Sequence, residues 1–217
     1  FLLWITPAPP FRRIAGLLLA WALVSNAAVE VPAQSVEEFE DRVWEALDAE
    51  NVDGARRILS RARTVHPDEP LFPLLEGDLY FDRELFSLAE ENYREALTLG
   101  ADPIRTRYDL ARALARQNRD VEATTELEWV SSSGDADLDV VSDLAWLYFK
   151  LYRLDEALDL LDAATEELGR DRYLEMTLGT VRGAQWDFAG ASDHYRWAIA
   201  DARRSGDPVF EAVAEYN

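Results

Sequence analysis

Few side chains in this chain of 217 residues are suited to catalysis or metal binding. The two histidines, His66 and His194, are far apart, and His66 directly precedes Pro67. The sequence contains no paired histidines of the zinc-protease type, no glycine-rich phosphate loop and no strand-to-helix serine turn. It also has no cysteine, which excludes thiolate catalysis, disulfide bonds and zinc–sulfur sites. We therefore expect a protein that is not an enzyme, with no catalytic residue, no metal site and no cofactor.

The charge of the chain limits its partners. Acidic side chains outnumber basic ones by 42 to 22, which gives a net charge of −20. Such a surface repels phosphate backbones and anionic lipid headgroups, so we expect no nucleic-acid partner. The charge could serve solubility, or it could favour basic partners. Neighbouring acids such as Glu90-Glu91 and Glu166-Glu167 are expected on solvated helix faces, because chance pairs are common among so many acids.

Arginines and large aromatic residues are better suited to binding chemistry. Arg105, Arg112 and Arg116 fall close together and could bind a carboxylate, or they could neutralise nearby acids. Aromatic side chains could anchor an apolar segment of a partner, or they could pack inside the protein. The aromatic candidates are Trp44, Phe81, Tyr108, Trp146 and Phe149.

A regular internal repeat positions these side chains. Small residues recur at an even spacing at Ala55, Ala89, Ala123, Ala157 and Ala191. Seven residues after each of these come Ala62, Ala96, Val130, Ala164 and Ala198, and four after come Leu59, Tyr93, Leu127, Leu161 and Tyr195. Twelve residues before each come Val43, Gly77, Ala111, Ala145 and Gly179. Small side chains let two helices approach to about 8–10 Å, and the larger ones fill the space beside the contact.

This pattern resembles the tetratricopeptide repeat family, whose unit is a helix–turn–helix of about 34 residues. The resemblance covers residues 36–204 and implies an all-α fold, a right-handed α-solenoid of about five repeats. Val130 and Arg182 depart from the family's usual small residue and tyrosine. Ser35 with Glu38, and Asp102 with Pro103, are typical helix starts. The predicted helix pairs are 36–49 and 53–65, 70–82 and 86–99, 104–117 and 120–132, 138–150 and 154–167, and 171–184 and 188–204.

The resemblance also implies a binding surface, because the first helices of such repeats line a concave groove that holds a peptide or a partner helix. By register, the expected groove residues are Trp44, Asp78, Phe81, Arg105, Tyr108, Arg112, Arg116, Trp146 and Phe149. Some members of the family clamp a terminal carboxylate with Lys and Asn from successive first helices. Glu40, Trp44 and Leu75 stand at those places and only Arg105 fits, so we do not expect binding of that kind.

Residues 1–28 have the pattern of a secretory signal peptide. Arg12 and Arg13 precede an apolar run over 14–24, and small residues follow up to Ala28. This run is shorter than the ~20 residues that a helix needs to cross a bilayer. We expect export to the periplasm or the exterior, with 29–35 as a linker. An uncleaved leader would instead anchor the protein in a membrane, and this would be its only membrane contact.

The favoured function is a non-catalytic scaffold of the cell envelope or exterior that binds a protein or peptide segment. Tyr216 stands in the same repeat position as Tyr80, so the array over 36–217 is expected to continue. One alternative is therefore the repeat region of a longer enzyme or envelope-assembly machine. A cytoplasmic regulatory module is the other, if the leader is an artefact of the assigned start.

Overall fold

The computed structural model describes residues 34–134 and 137–207. Within these ranges the chain forms ten α-helices and no strand. The helices are α1 Val36–Asp48, α2 Val52–Val65, α3 Leu71–Asp82, α4 Phe86–Leu99, α5 Pro103–Arg116, α6 Asp120–Ser132, α7 Leu138–Lys150, α8 Leu154–Leu168, α9 Arg172–Ala184 and α10 Phe188–Ser205. Every predicted helix boundary agrees with the structure to within one residue. The leader and the further repeat expected after Asp207 lie outside the described residues.

The helices pack in chain order, and each one contacts the next. The small residues of the repeat are buried where the two helices of a pair cross, from Ala55 to Ala191. A continuous apolar core runs from Leu74 to Val181, and a second one lies under α1, α2 and α3. This arrangement is an all-α repeat stack, as predicted. In the part of the chain that the structure describes, no helix is long and apolar enough to cross a membrane.

The helix starts follow the capping chemistry of the sequence. The Ser35 hydroxyl accepts a hydrogen bond from the backbone N–H of Glu38 at 3.1 Å. The Asp102 carboxylate accepts hydrogen bonds from the backbone N–H groups of Ile104 and Arg105, and Pro103 occupies the first helical position. These side chains satisfy backbone donors that have no partner within the helix, and so fix where α1 and α5 begin.

Each turn inside a helix pair contains one non-glycine residue in the left-handed region, with φ between 54° and 65°. These residues occupy the same position in every repeat: Glu50, Glu84, Asn118, Tyr152 and Trp186. The residue after each one donates its backbone N–H to a carbonyl five positions earlier, as Asn51 does to Ala46 at 2.8 Å. This bond is typical of a Schellman helix end. The repeated turn reverses the chain in the same way each time and brings the first helices to one side.

Candidate partner-binding groove

Two adjoining hollows lie along the first helices of repeats one to four. The first, of about 380 Å³, is lined by Trp44, Leu47, Leu75, Asp78, Leu79, Phe81, Asp82, Tyr93, Arg105, Asp109 and Arg112. The second, of about 320 Å³, is lined by Phe81, Ala111, Arg112, Ala115, Arg116, Leu127, Asp143, Trp146, Leu147 and Lys150. Because Phe81 and Arg112 line both, the hollows form one groove.

Of the nine residues predicted for the groove, seven line the hollows directly, and the other two, Tyr108 and Phe149, contact residues that line them. Tyr108 lies beside them, since its hydroxyl donates to the Asp143 carboxylate at 3.2 Å. The ring of Phe149 stacks on that of Trp146, with ring centroids 5.2 Å apart. The repeat register therefore brings together side chains that are distant in the chain, from Trp44 to Phe149.

The aromatic residues of the groove differ in their exposure to solvent. Trp44 and Trp146 are 47% and 51% exposed, one at each hollow. Phe81 and Phe149 are half-buried and pack against the core. The two tryptophans therefore offer accessible apolar area, while the phenylalanines contribute both to the groove wall and to the interior.

The arginines do not form an unneutralised basic cluster. Arg105 contacts Asp78 at 3.1 Å and Asp109 at 3.7 Å. The Arg112 guanidinium lies 3.8 Å from Asp109 and over the ring of Phe81, 4.7 Å from its centroid. Arg116 lies 3.7 Å from Glu84. Of the two roles considered for these arginines, neutralisation of nearby acids is the one present in this structure, because α3, α5 and the α3–α4 turn supply an acid beside each of them.

Several acidic residues of the groove were not predicted from the sequence. Of these, Asp109 has the most strongly shifted pKa. Burial raises its pKa, and repulsion from Asp78 adds to this effect. Arg105 and Arg112 oppose the rise but do not cancel it, and the pKa of Asp109 reaches about 6. Asp109 directly follows the predicted Tyr108, so the register could have located it.

Burial also raises the pKa of two further groove acids. Burial raises the pKa of Asp78, although the hydrogen bond donated by the Tyr93 hydroxyl and the charge of Arg105 act to lower it. The same cause acts on the pKa of Asp143, against the hydrogen bond from Tyr108. The floor of the groove is therefore a set of partly dehydrated acids held by arginines and tyrosine hydroxyls.

Both histidines lie away from this groove in packed positions. The His66 ring packs against Phe39 and Phe72, which also contact each other, and its Nε2 lies 2.7 Å from the backbone oxygen of Gln34. Arg182, the departure from the usual tyrosine, donates to Nε2 of His194. The Nδ1 proton of His194 is therefore available to Glu175, 2.8 Å away. Among the described residues, no group of three or more potential ligands is placed to hold a metal ion.

The chain forms repeated pairs of helices, small residues lie where the helices of a pair cross, and the first helices line a groove. These features define a helical-repeat protein. No protein-family model and no curated protein matches the sequence. Among solved structures, YrrB, described as a TPR protein with an unusual peptide-binding site, is similar with a TM-score of 0.71 at 15% identity, over 91% of this chain and 97% of that chain. The chain therefore has the tetratricopeptide-repeat fold, and the predicted resemblance is confirmed at that level.

Two further solved structures show the same fold. MamA from Desulfovibrio magneticus RS-1 is similar with a TM-score of 0.71 at 17% identity, over 79% of this chain and 96% of that chain. PilF from Pseudomonas aeruginosa is similar with a TM-score of 0.62 at 15% identity, over 82% of this chain and 87% of that chain. At these identities the likeness concerns the arrangement of helices and not the residues of the groove.

Proposed function

We propose that this protein is a non-catalytic interaction scaffold that holds a segment of a partner protein in the groove along α1, α3, α5 and α7. The observation that carries the proposal is the pair of half-exposed tryptophans, Trp44 and Trp146, joined through Phe81. Exposed aromatic residues in a concave surface are favoured anchors at protein interfaces. YrrB, the similar structure that is described as having a peptide-binding site, supports the same use of this fold.

The polar groups of the groove suit binding of a segment in a defined position. Asp78 is already hydrogen-bonded by the Tyr93 hydroxyl at 3.0 Å and by Arg105 at 3.1 Å. Such mutual contacts hold donors and acceptors in place before a partner arrives, so less side-chain freedom is lost on binding. The aromatic residues then supply affinity, and the paired charges supply specificity.

The decisive comparison is capture of partners from cells of the source organism by three tagged proteins. These are the unchanged protein, Trp146→Ala and Trp186→Ala. Trp186 is 81% exposed in the α9–α10 turn and lies outside both hollows, so its removal controls for general loss of apolar surface. Quantitative mass spectrometry should show proteins that the unchanged protein and Trp186→Ala retain and Trp146→Ala loses. Equal capture by all three proteins would show that the groove does not bind the partner.

The location of the protein is part of the proposal. Export to the periplasm or exterior is supported by the order of charge, apolar run and small residues in 1–28. Export is tested by cell fractionation of a protein tagged at its C-terminus, together with a measurement of the mass of the mature chain. Cleavage after Ala27 or Ala28 and recovery outside the cytoplasm are expected. Recovery of an uncleaved cytoplasmic protein would leave the regulatory module as the better alternative.

A further inference from the structure

In the first helices of repeats one to four, the last residue is charged, and the sign of this charge changes along the repeats, whereas α9 ends at the uncharged Ala184. Equivalent positions in α1, α3, α5 and α7 are held by Asp48, Asp82, Arg116 and Lys150, each one repeat after the previous one. Asp82 lines the first hollow, and Arg116 and Lys150 line the second. One column of the repeat is therefore acidic over the first half of the groove and basic over the second.

Charges inside the two hollows follow the same division. The first hollow contains three carboxylates and two arginines, which leaves an excess of one negative charge. The second contains Arg112, Arg116 and Lys150 with Asp143, which leaves an excess of two positive charges. Since Arg112 and Phe81 lie at the junction, the change of sign falls in the middle of the groove.

Helix stability does not explain the acidic half. The C-terminal end of a helix carries a partial negative charge, so a basic residue is favoured there and an acidic one is disfavoured. Arg116 and Lys150 follow this rule, and Asp82 goes against it. Within 34–134 and 137–207, no basic side chain forms an ion pair with Asp82, which is exposed. A cation supplied from outside the chain would offset this charge.

The basic half has acids outside the hollow. Lys150 contacts Asp120 at 2.6 Å, at the start of α6. Arg116 lies 3.7 Å from Glu84, a side chain that is 77% exposed. An exposed pair at that distance contributes little, so Arg116 can exchange Glu84 for a carboxylate of a ligand. Asp82 and Arg116 are thus the two charges best placed to meet a partner.

From these observations, and resting on the proposed function, we propose that the groove binds its partner segment in one direction. The segment carries a basic residue opposite Asp82, an acidic residue opposite Arg116 and Lys150, and apolar residues between Trp44 and Trp146. A segment with the two charges exchanged places like charges together in both hollows and is rejected. The groove therefore selects a bipolar amphipathic segment, by charge order as well as by apolar contact.

The test begins with selection of random dodecapeptides, displayed on phage, on the immobilised full-length protein. A selected peptide is used further only if Trp146→Ala abolishes its binding and Trp186→Ala does not. A second peptide is then made in which the basic and acidic residues are exchanged. Both are measured by fluorescence anisotropy on the unchanged protein and on the charge-exchange variant Asp82→Arg with Arg116→Asp, which has the same net charge.

The unchanged protein should bind the selected peptide about tenfold more tightly than the exchanged one, and the variant should reverse this preference. Equal binding of both peptides to the unchanged protein, or no reversal in the variant, overturns the inference and leaves the proposed function standing. If the binding of no selected peptide depends on Trp146, both this inference and the proposed function are overturned. Circular dichroism and thermal melting verify the fold of the variant. If it does not fold, Asp82→Asn and Arg116→Gln replace it, each of which should shrink the preference.

Discussion

The ring of Tyr93 on α4 lies directly against the backbone of Gly77 on α3. A Cβ atom placed on Gly77 would be 2.5 Å from Cε1 of that ring, closer than real contacts allow. The same relationship recurs in the fifth repeat, where a Cβ on Gly179 would lie 2.7 Å from Tyr195. Where leucine replaces the tyrosine, at Leu127 and Leu161, alanine replaces the glycine. The volume at the helix crossing is thus shared between the two positions.

Gly77→Ala should destabilise the protein by about 1–3 kcal/mol, because overpacking outweighs the better helix preference of alanine. The control is Gly183→Ala, where the new Cβ meets only Ala191 at 3.9 Å. This control change should stabilise the protein by about 0.5–1 kcal/mol. Urea unfolding measures both. In a double-mutant cycle, Tyr93→Leu should relieve part of the cost of Gly77→Ala, and strictly additive effects would show that the two residues do not compete for space.

Tyr152→Gly should raise the free energy of unfolding by about 0.5–1 kcal/mol, although it removes a large side chain. Tyr152 has a φ of 58° in the α7–α8 turn, and its side chain is 86% exposed. The backbone strain therefore exceeds what the ring contributes by packing. Tyr152→Ala keeps the Cβ atom and the strain, so its stability should change by less than about 0.5 kcal/mol. If glycine and alanine have the same effect, strain at this turn is not the cause.

Asp109→Asn should stabilise the protein at pH 7.5 by about 2–3 kcal/mol. Burial, with repulsion from Asp78, raises the pKa of Asp109 from 3.8 to about 6. Between these values the folded state binds more protons than the unfolded state, so the contribution of Asp109 to stability falls as the pH rises. The difference between the two proteins should therefore vanish near pH 4.

Urea unfolding of both proteins at several pH values measures this difference. The same substitution at the exposed Asp41 is the control and should change stability by less than about 0.5 kcal/mol throughout. A constant difference between Asp109→Asn and the unchanged protein across the pH range would contradict the raised pKa.

Glu175→Gln should destabilise the last repeat by about 2 kcal/mol at neutral pH. The Glu175 side chain is 2% exposed and accepts hydrogen bonds from Arg170 at 2.7 and 2.8 Å. Burial acts to raise its pKa, but the hydrogen bonds from Arg170 and His194 outweigh it and hold the pKa of Glu175 below its usual value.

A lowered pKa means that this stabilisation exists above the unfolded value and is lost as the pH falls through the folded one. The deficit of Glu175→Gln should accordingly shrink in acid, the opposite trend to Asp109→Asn. Thermal melting between about pH 3 and pH 7 follows it, with the exposed Glu167→Gln as the control. A deficit that grows in acid would show that the ion pair is not its source.

The positions of the helices followed from the sequence because they depend on local and repeated signals. Small residues at the repeat spacing, capping at Ser35 and Asp102, and apolar stripes all act within one or two turns of helix. The register also placed Trp44, Arg112 and Trp146 on one side, because identical turns reverse the chain identically in each repeat. A periodic sequence thus determines which residues share a face.

Only the tertiary structure decided how the charges of that face are matched. Arg105 on α5 meets Asp78 on α3, and Asp109 lies between these groups at a depth that raises its pKa to about 6. Such contacts depend on the distance between helices, on side-chain rotamers and on how much water reaches the charged groups. The periodicity of the sequence contains no information about these three quantities. The sequence therefore determined which residues share one face of the repeats, whereas the packing of the helices decided which of their charges are paired and how deeply the acids are buried.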